Sequence, residues 1–162
     1  MPPTILLIPG AWHRPAAFEP AATQLRSLGY SVETIQLQSV GGYGSVAEDS
    51  AAIGKSVETL ADKGEDILLV PHSYAGAASA GIQKEFAKAR RTEAGKPGGI
   101  VGLVYVAAFL CPEGVDIKTM LRGQWEPWQI ADVSGTQEDL ETLRENVIAQ
   151  ITADFLCSAS SY

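Results

Sequence analysis

Apolar runs and helical stripes alternate along this chain. Thr4–Ile8 is an unbroken apolar run closed by Pro9-Gly10, the pattern of a parallel strand buried on both faces. Phe18, Ala21, Ala22, Leu25 and Leu28 then recur at helical spacing and predict one inward face, with Gly29 suited to the residue after the helix end. Ser31–Leu37 reads as a second strand and Gln38–Gly44 as a glycine-rich loop. Ser45-Val46-Ala47-Glu48 has the form of a capping box, opening a helix with Val46, Ile53, Val57 and Leu60 on its inner side. Asp66–Val70 is the third strand. A small-residue helix follows from Ala75 and is expected to run to about Arg91. Thr92–Gly99 is a polar loop, and Ile100–Leu110 is the fourth strand and the longest apolar run. Leu140, Leu143, Val147, Ile148 and Ile151 mark one more helix.

Repeated strand–helix units predict an α/β fold: a three-layer α/β/α sandwich around a mainly parallel sheet, with right-handed crossovers. In such sheets ligands bind beyond the carboxyl ends of the strands. The 162 residues fit a single domain, 1–162, with 1–116 as its core and 117–162 as a cap-like or covering segment. A hydrophobic content of 46% with 19% charged residues describes a folded chain. The net charge of −7 argues against nucleic acid and against anionic membrane surfaces as partners. Cys111 and Cys157 are too few for a disulfide framework or a metal site, and each is expected to be a small buried apolar group. Met1-Pro2-Pro3-Thr4 has no basic or apolar leader character and no run reaches transmembrane length, so the expected location is cytoplasmic.

The chemistry concentrates at Val70-Pro71-His72-Ser73-Tyr74-Ala75-Gly76. A serine on a sharp turn between a buried strand and a helix is the nucleophile elbow of the α/β-hydrolases. The turn lifts the hydroxyl above the sheet, and the helix start offers free N–H groups to a developing oxyanion. Pro71 and Ala75 stand where that motif carries glycine. Alanine adds one methyl, and proline removes an N–H and fixes φ. The plainer alternative makes Ser73 a helix N-cap.

The resemblance extends beyond the elbow. Ile5–His13, the Gly41-Gly42 loop, His72-Ser73-Tyr74, Lys96-Pro97-Gly98-Gly99 and Val104–Gly114 occur in the order found in fungal-type α/β-hydrolases, which are similar to plant methyl-ester hydrolases and hydroxynitrile lyases. It covers roughly residues 4–116 and implies a serine hydrolase acting on a small ester or lactone, with no metal and no organic cofactor. Kinship also implies small secondary metabolites as substrates. Pro9-Gly10-Ala11-Trp12-His13 resembles the oxyanion loop, so the N–H groups of Ala11 and Tyr74 would hold the oxyanion while Trp12 and His13 contact substrate. A dinucleotide site is rejected because Gly10 stands alone.

The resemblance also exposes a departure. In that family the triad acid and histidine follow the serine, whereas both histidines of this chain, His13 and His72, do not. The chain is therefore expected to lack the last strands of the fold. His72 should point into the packing. His13 would serve as a base only within hydrogen-bond reach of Ser73. Asp116 is the best-placed carboxylate, ahead of Asp132, Asp139 and Asp154. An uncovered strand at Ile100–Leu110 would be an apolar edge. Three readings follow: residues 117–162 cover it, with Trp125 and Trp128 as a lid; a second copy covers it, giving a homodimer through the 100–110 edge; or the sequence is a fragment, or an aberrant gene product, of a longer hydrolase. The basic segment Lys84–Lys96 reads as a solvated helix end. The alternative to an enzyme is a degenerate, noncatalytic member of the fold that binds a small ligand or a partner chain.

Overall fold

The computed structural model describes residues 2–41 and 44–123. The helix expected around 140–151, the pair Trp125 and Trp128, the acids Asp132, Asp139 and Asp154, Cys157 and Gly42 lie outside the described residues. The chain divides into two units, Met1–Ile117 and Lys118–Tyr162, and the whole of the described sheet belongs to the first.

Four parallel strands, β1 (Thr4–Ile8), β2 (Val32–Thr34), β3 (Asp66–Pro71) and β4 (Gly99–Leu103), form a sheet in the order β2-β1-β3-β4. Side chains alternate across a strand, so β1 serves two cores. Leu6 and Ile8 enter one with Ile53, Val57, Ile67, Leu69 and Ile82. Ile5 and Leu7 enter the other with Ala22, Val32 and Val70. Helix α1 (Glu19–Ser27) supplies Ala22, while α2 (Val46–Asp62) and α3 (Ala75–Glu85) supply the opposite face. This is the three-layer α/β/α arrangement expected from the sequence. The capping box at the start of α2 forms as read: Glu48 N–H donates to the Ser45 hydroxyl, and Ser45 N–H donates to the Glu48 carboxylate.

Several expectations are corrected. Leu28, Ala21 and Val46 are exposed, because the true inner positions of these helices are Ala22 and Ile53, Val57 and Leu60. Phe18 belongs to a 3-10 turn (Pro15–Phe18) that precedes α1. The second strand shrinks to β2, although Ile35 and Leu37 remain buried.

The helix after Ser73 does not run to Arg91. It stops at Glu85, and α4 (Lys88–Glu93) begins after Ala87, whose ψ is 131°. The chain opens there because Ile100 N–H donates to the Phe86 carbonyl and Ala87 bridges Ile100. A sheet contact thus overrides continuous helical spacing. Within the basic segment Arg91 is buried rather than solvated. Its guanidinium donates to the carbonyls of Pro97 and Gly98 and pairs with Asp62 at 2.6 Å.

The fourth strand is shorter than its apolar run. A register shift opposite Ile67 and Leu68 leaves Val101 out of the ladder, and regular strand ends at Leu103. Pairing then continues loosely, with Val104 N–H to Leu69 O at 2.9 Å and Val106 N–H to Pro71 O at 3.0 Å. Among the described residues β4 is a sheet edge, and Val101, Leu103, Val104 and Val106 are exposed on it. The short helix α5 (Ile117–Met120) follows. No helix of the described residues is long and apolar enough to cross a membrane.

Candidate active site

Ser73 occupies the turn between β3 and α3 with φ of 52°, in the left-handed region that costs an L-residue with a side chain. A strained backbone at a strand-to-helix turn persists only when its surroundings hold it. Here they do. Ser73 N–H donates to Val106 O at 3.2 Å, and the Ser73 carbonyl accepts from Gly76 N–H and from Phe109 N–H at 3.0 Å. His72 N–H donates to Ile8 O, tying the turn to β1 as well. Pro71 fits because it closes the strand, its carbonyl accepting from Val106. The simpler N-cap role for Ser73 is not what forms: the N-cap of α3 is Tyr74, with no side-chain cap bond.

The turn's N–H groups divide into two kinds. Those of Ser73, Ala75 and Gly76 donate to main-chain carbonyls. Those of Tyr74 and, in the facing loop, Ala11 take no part in the main-chain hydrogen bonds of the described residues. The facing loop comes very close. A Cβ built on Gly10 would lie 3.0 Å from the Ser73 Cβ and 3.0 Å from His72 Nδ1. Only a residue without a side chain lets β1's exit turn approach the elbow so nearly. Gly76 serves the same need on the other flank, where a Cβ would run into the Phe109 carbonyl oxygen.

The loop after β1 turns through a His13 N–H to Gly10 O bond at 3.3 Å, with Trp12 at φ of 63° and largely exposed. His13 Nδ1 lies 2.8 Å from the Ala11 carbonyl, which can only accept, so Nδ1 carries the proton of that bond. The His72 ring packs edge-on against both His13 and Phe18, each at 6.0 Å between centroids. Partial burial first, and the neighbouring His13 second, hold its imidazole below the ordinary value. The two histidines therefore sit together, beside the serine rather than after it.

Asp116, the carboxylate singled out from sequence, is exposed, and it acts on Cys111. That thiol is only half-buried, not a buried apolar group, and is pushed up by burial first and Asp116 second. Among the described residues no cluster of three or more His, Cys, Asp or Glu could hold a metal ion.

One site residue escaped sequence reasoning. Asp49 on α2 is fully buried. Its Oδ1 accepts from Ser39 N–H at 3.0 Å, and its Oδ2 accepts from the Ser39 hydroxyl at 2.6 Å and the Tyr74 hydroxyl at 2.8 Å. Burial first, then the bond to Asp49, raises Tyr74 far above the ordinary phenol range. A signal was available: Asp49 stands four residues before Ile53, on the inward stripe of the helix.

No family model matches the chain. It is 30% identical over 146 residues to an alpha/beta hydrolase, nvfD, of Aspergillus novofumigatus, an alignment covering 88% of this chain and 53% of that one. It is 26% identical over 113 residues to a probable hydrolase, R7, of a Phoma species, covering 67% of this chain and 43% of the relative. The chain thus spans about half the length of the curated relatives it matches. Among solved structures it resembles tomato methylketone synthase I in complex with 2-tridecanone, with a TM-score of 0.55 and 18% identity over 76% of this chain and 46% of that one. It also resembles an extracellular α/β-hydrolase from a Paenibacillus species, described as sharing structural and functional homology with a tobacco salicylic acid binding protein, with a TM-score of 0.51 and 22% identity over 70% and 43%.

Proposed function

Since the chain belongs to the α/β-hydrolase superfamily, we propose that it is a serine hydrolase acting on a small ester or lactone. In this reading the Ser73 hydroxyl attacks the acyl carbon. The carbonyl oxygen becomes an oxyanion held by the N–H groups of Ala11 and Tyr74; the ester C–O bond then breaks, the serine proton passes to the departing alkoxide, and an acyl-enzyme forms, the new alcohol leaving from an ester and staying tethered in a lactone. Water then releases the acid. Trp12 and His13 line the approach at the mouth of the site.

The observation that carries this reading is the pairing of a left-handed Ser73 with the bare backbone of Gly10. The serine backbone is held in an unfavourable conformation, and the loop with an uncommitted N–H is brought against it. A residue serving only to start a helix requires neither.

The test is labelling by a fluorophosphonate probe, which traps an activated serine and mimics the tetrahedral state. Rapid labelling of the full chain that disappears in Ser73→Ala is expected. Folded protein that resists the probe would instead support a noncatalytic, ligand-binding member of the fold.

A further inference from the structure

Asp49 is a fully buried carboxylate on a helix whose other buried positions are Ile53, Gly54, Val57, Leu60 and Ala61. A charge in that setting is costly, and an apolar residue of similar size would commonly serve stability as well or better. Adhesion alone is therefore a weak account of its presence. The three donors that satisfy it come from two places: the Ser39 N–H and hydroxyl from the loop after β2, and the Tyr74 hydroxyl from the residue that follows the nucleophile.

The Ser39 pair grips both carboxylate oxygens, which fixes the direction in which Oδ2 faces Tyr74. Gly44 passes close to the same loop, since a Cβ there would stand 2.7 Å from the Ser39 nitrogen. The tyrosine side chain has only two rotatable bonds between its ring and its backbone. Holding its hydroxyl at 2.8 Å therefore restrains the Tyr74 peptide itself. The peptide that carries the Tyr74 N–H is already gripped through the Ser73 carbonyl, which accepts from Gly76 and Phe109 N–H, and the Asp49 bond adds a hold from the side-chain end to an N–H that makes no main-chain bond among the described residues.

We propose that Asp49 is a positioning residue that, through the Tyr74 hydroxyl, fixes the direction of the Tyr74 N–H toward the acyl oxygen. The inference rests on the serine hydrolase reading for its catalytic meaning. The mechanical link from Asp49 to Tyr74 is measurable without it.

The experiment compares the full chain with Asp49→Asn, Tyr74→Phe and the double variant, using two measurements. The first is the 15N order parameter of the Tyr74 amide. It should match that of Leu69 in β3 for the wild type, near the rigid value of about 0.85, and fall toward about 0.6 in each variant while Leu69 is unchanged. The second is fluorophosphonate inactivation over a range of probe concentrations. The limiting rate should fall about 10- to 100-fold in each single variant, with the half-saturating concentration unchanged. The double variant should be no slower than the slower single, because both changes break one link. A merely structural role would lower the melting temperature without this division. Should Asp49→Asn fail to fold, Tyr74→Phe removes the same bond while leaving the carboxylate with Ser39. An unchanged Tyr74 order parameter in a folded variant overturns the proposal, as do rate losses that multiply or that appear only in half-saturation. Wild-type protein that takes no label overturns the hydrolase reading instead, and the order parameter still decides the link.

Discussion

The backbone of Gly10 approaches Ser73 so closely that a single added carbon would stand 3.0 Å from the serine Cβ. The same carbon would stand 3.0 Å from His72 Nδ1, so it has no direction in which to yield freely. Gly10→Ala should therefore push the loop and the elbow apart by a few tenths of an ångström. We expect a stability loss of about 1–3 kcal/mol and fluorophosphonate labelling slowed at least about tenfold, since an oxyanion donor works only at close range. Urea titration and labelling rates measure the two effects separately. Wild-type labelling in the variant would show that the approach of the two loops has no catalytic meaning.

The conformation of Ser73 sets stability against chemistry. Ser73→Ala keeps a side chain in the left-handed region and so keeps the strain. Ser73→Gly relieves a cost of about 1–2 kcal/mol but gives back about 0.4–1 kcal/mol in unfolded-chain freedom. The glycine variant should be the more stable of the two by about 0.5–1 kcal/mol, and both should be inert to the probe. Equal urea midpoints at equal slopes would mean that the turn is unstrained.

His72 predicts a specific pH dependence. Its imidazole is held below its ordinary value of about 6.5, by burial and then by His13. The folded state therefore favours the neutral ring, and between the two pKa values the unfolded chain binds more protons. Stability is whole above the unfolded value, declines as pH falls through that window, and declines no further from this source below the folded value. His72→Phe should remove this component. Urea midpoints collected from about pH 8 to about pH 5 check it, and parallel profiles for variant and wild type would contradict it.

Arg91 should behave as a buried fork rather than a surface charge. It is 3% exposed, while its carboxylate partner Asp62 is more than half exposed. The carbonyls of Pro97 and Gly98 therefore matter more than the ion pair. Arg91→Lys should cost about 2–3 kcal/mol, because one ammonium cannot serve both carbonyls and Asp62 together. Asp62→Asn should cost less than about 1 kcal/mol. The reverse order in urea unfolding would put the weight on the charge pair.

Local chemistry made much of this legible. The apolar runs of β1 and β3, the Ser45 capping box and the serine turn each announce themselves within a few residues. What could not be read was decided by contacts distant in sequence. The helical spacing across Phe86 and Ala87 is intact, yet the sheet claims Phe86 O for Ile100. The apolar run of the fourth strand is continuous, yet a register slip at Val101 and the left-handed Ala107, at φ of 42°, end it early. Arg91 looks like its neighbours Arg90 and Lys96 until the carbonyls beneath it are seen. Asp49 is illegible for the same reason: a carboxylate on an apolar helix stripe takes its meaning from a tyrosine on another element.

The bonds that Ser73 donates to Val106 and accepts from Phe109 have an implication for biogenesis. On the ribosome, β1, α2 and β3 emerge well before the stretch that clamps the serine. Until residues 106–109 leave the exit tunnel and dock, nothing on their side compels residue 73 to adopt its contorted shape. The nascent chain would hence pass through an interval in which β1, α2 and β3 have been synthesised while the backbone of residue 73 is still unclamped.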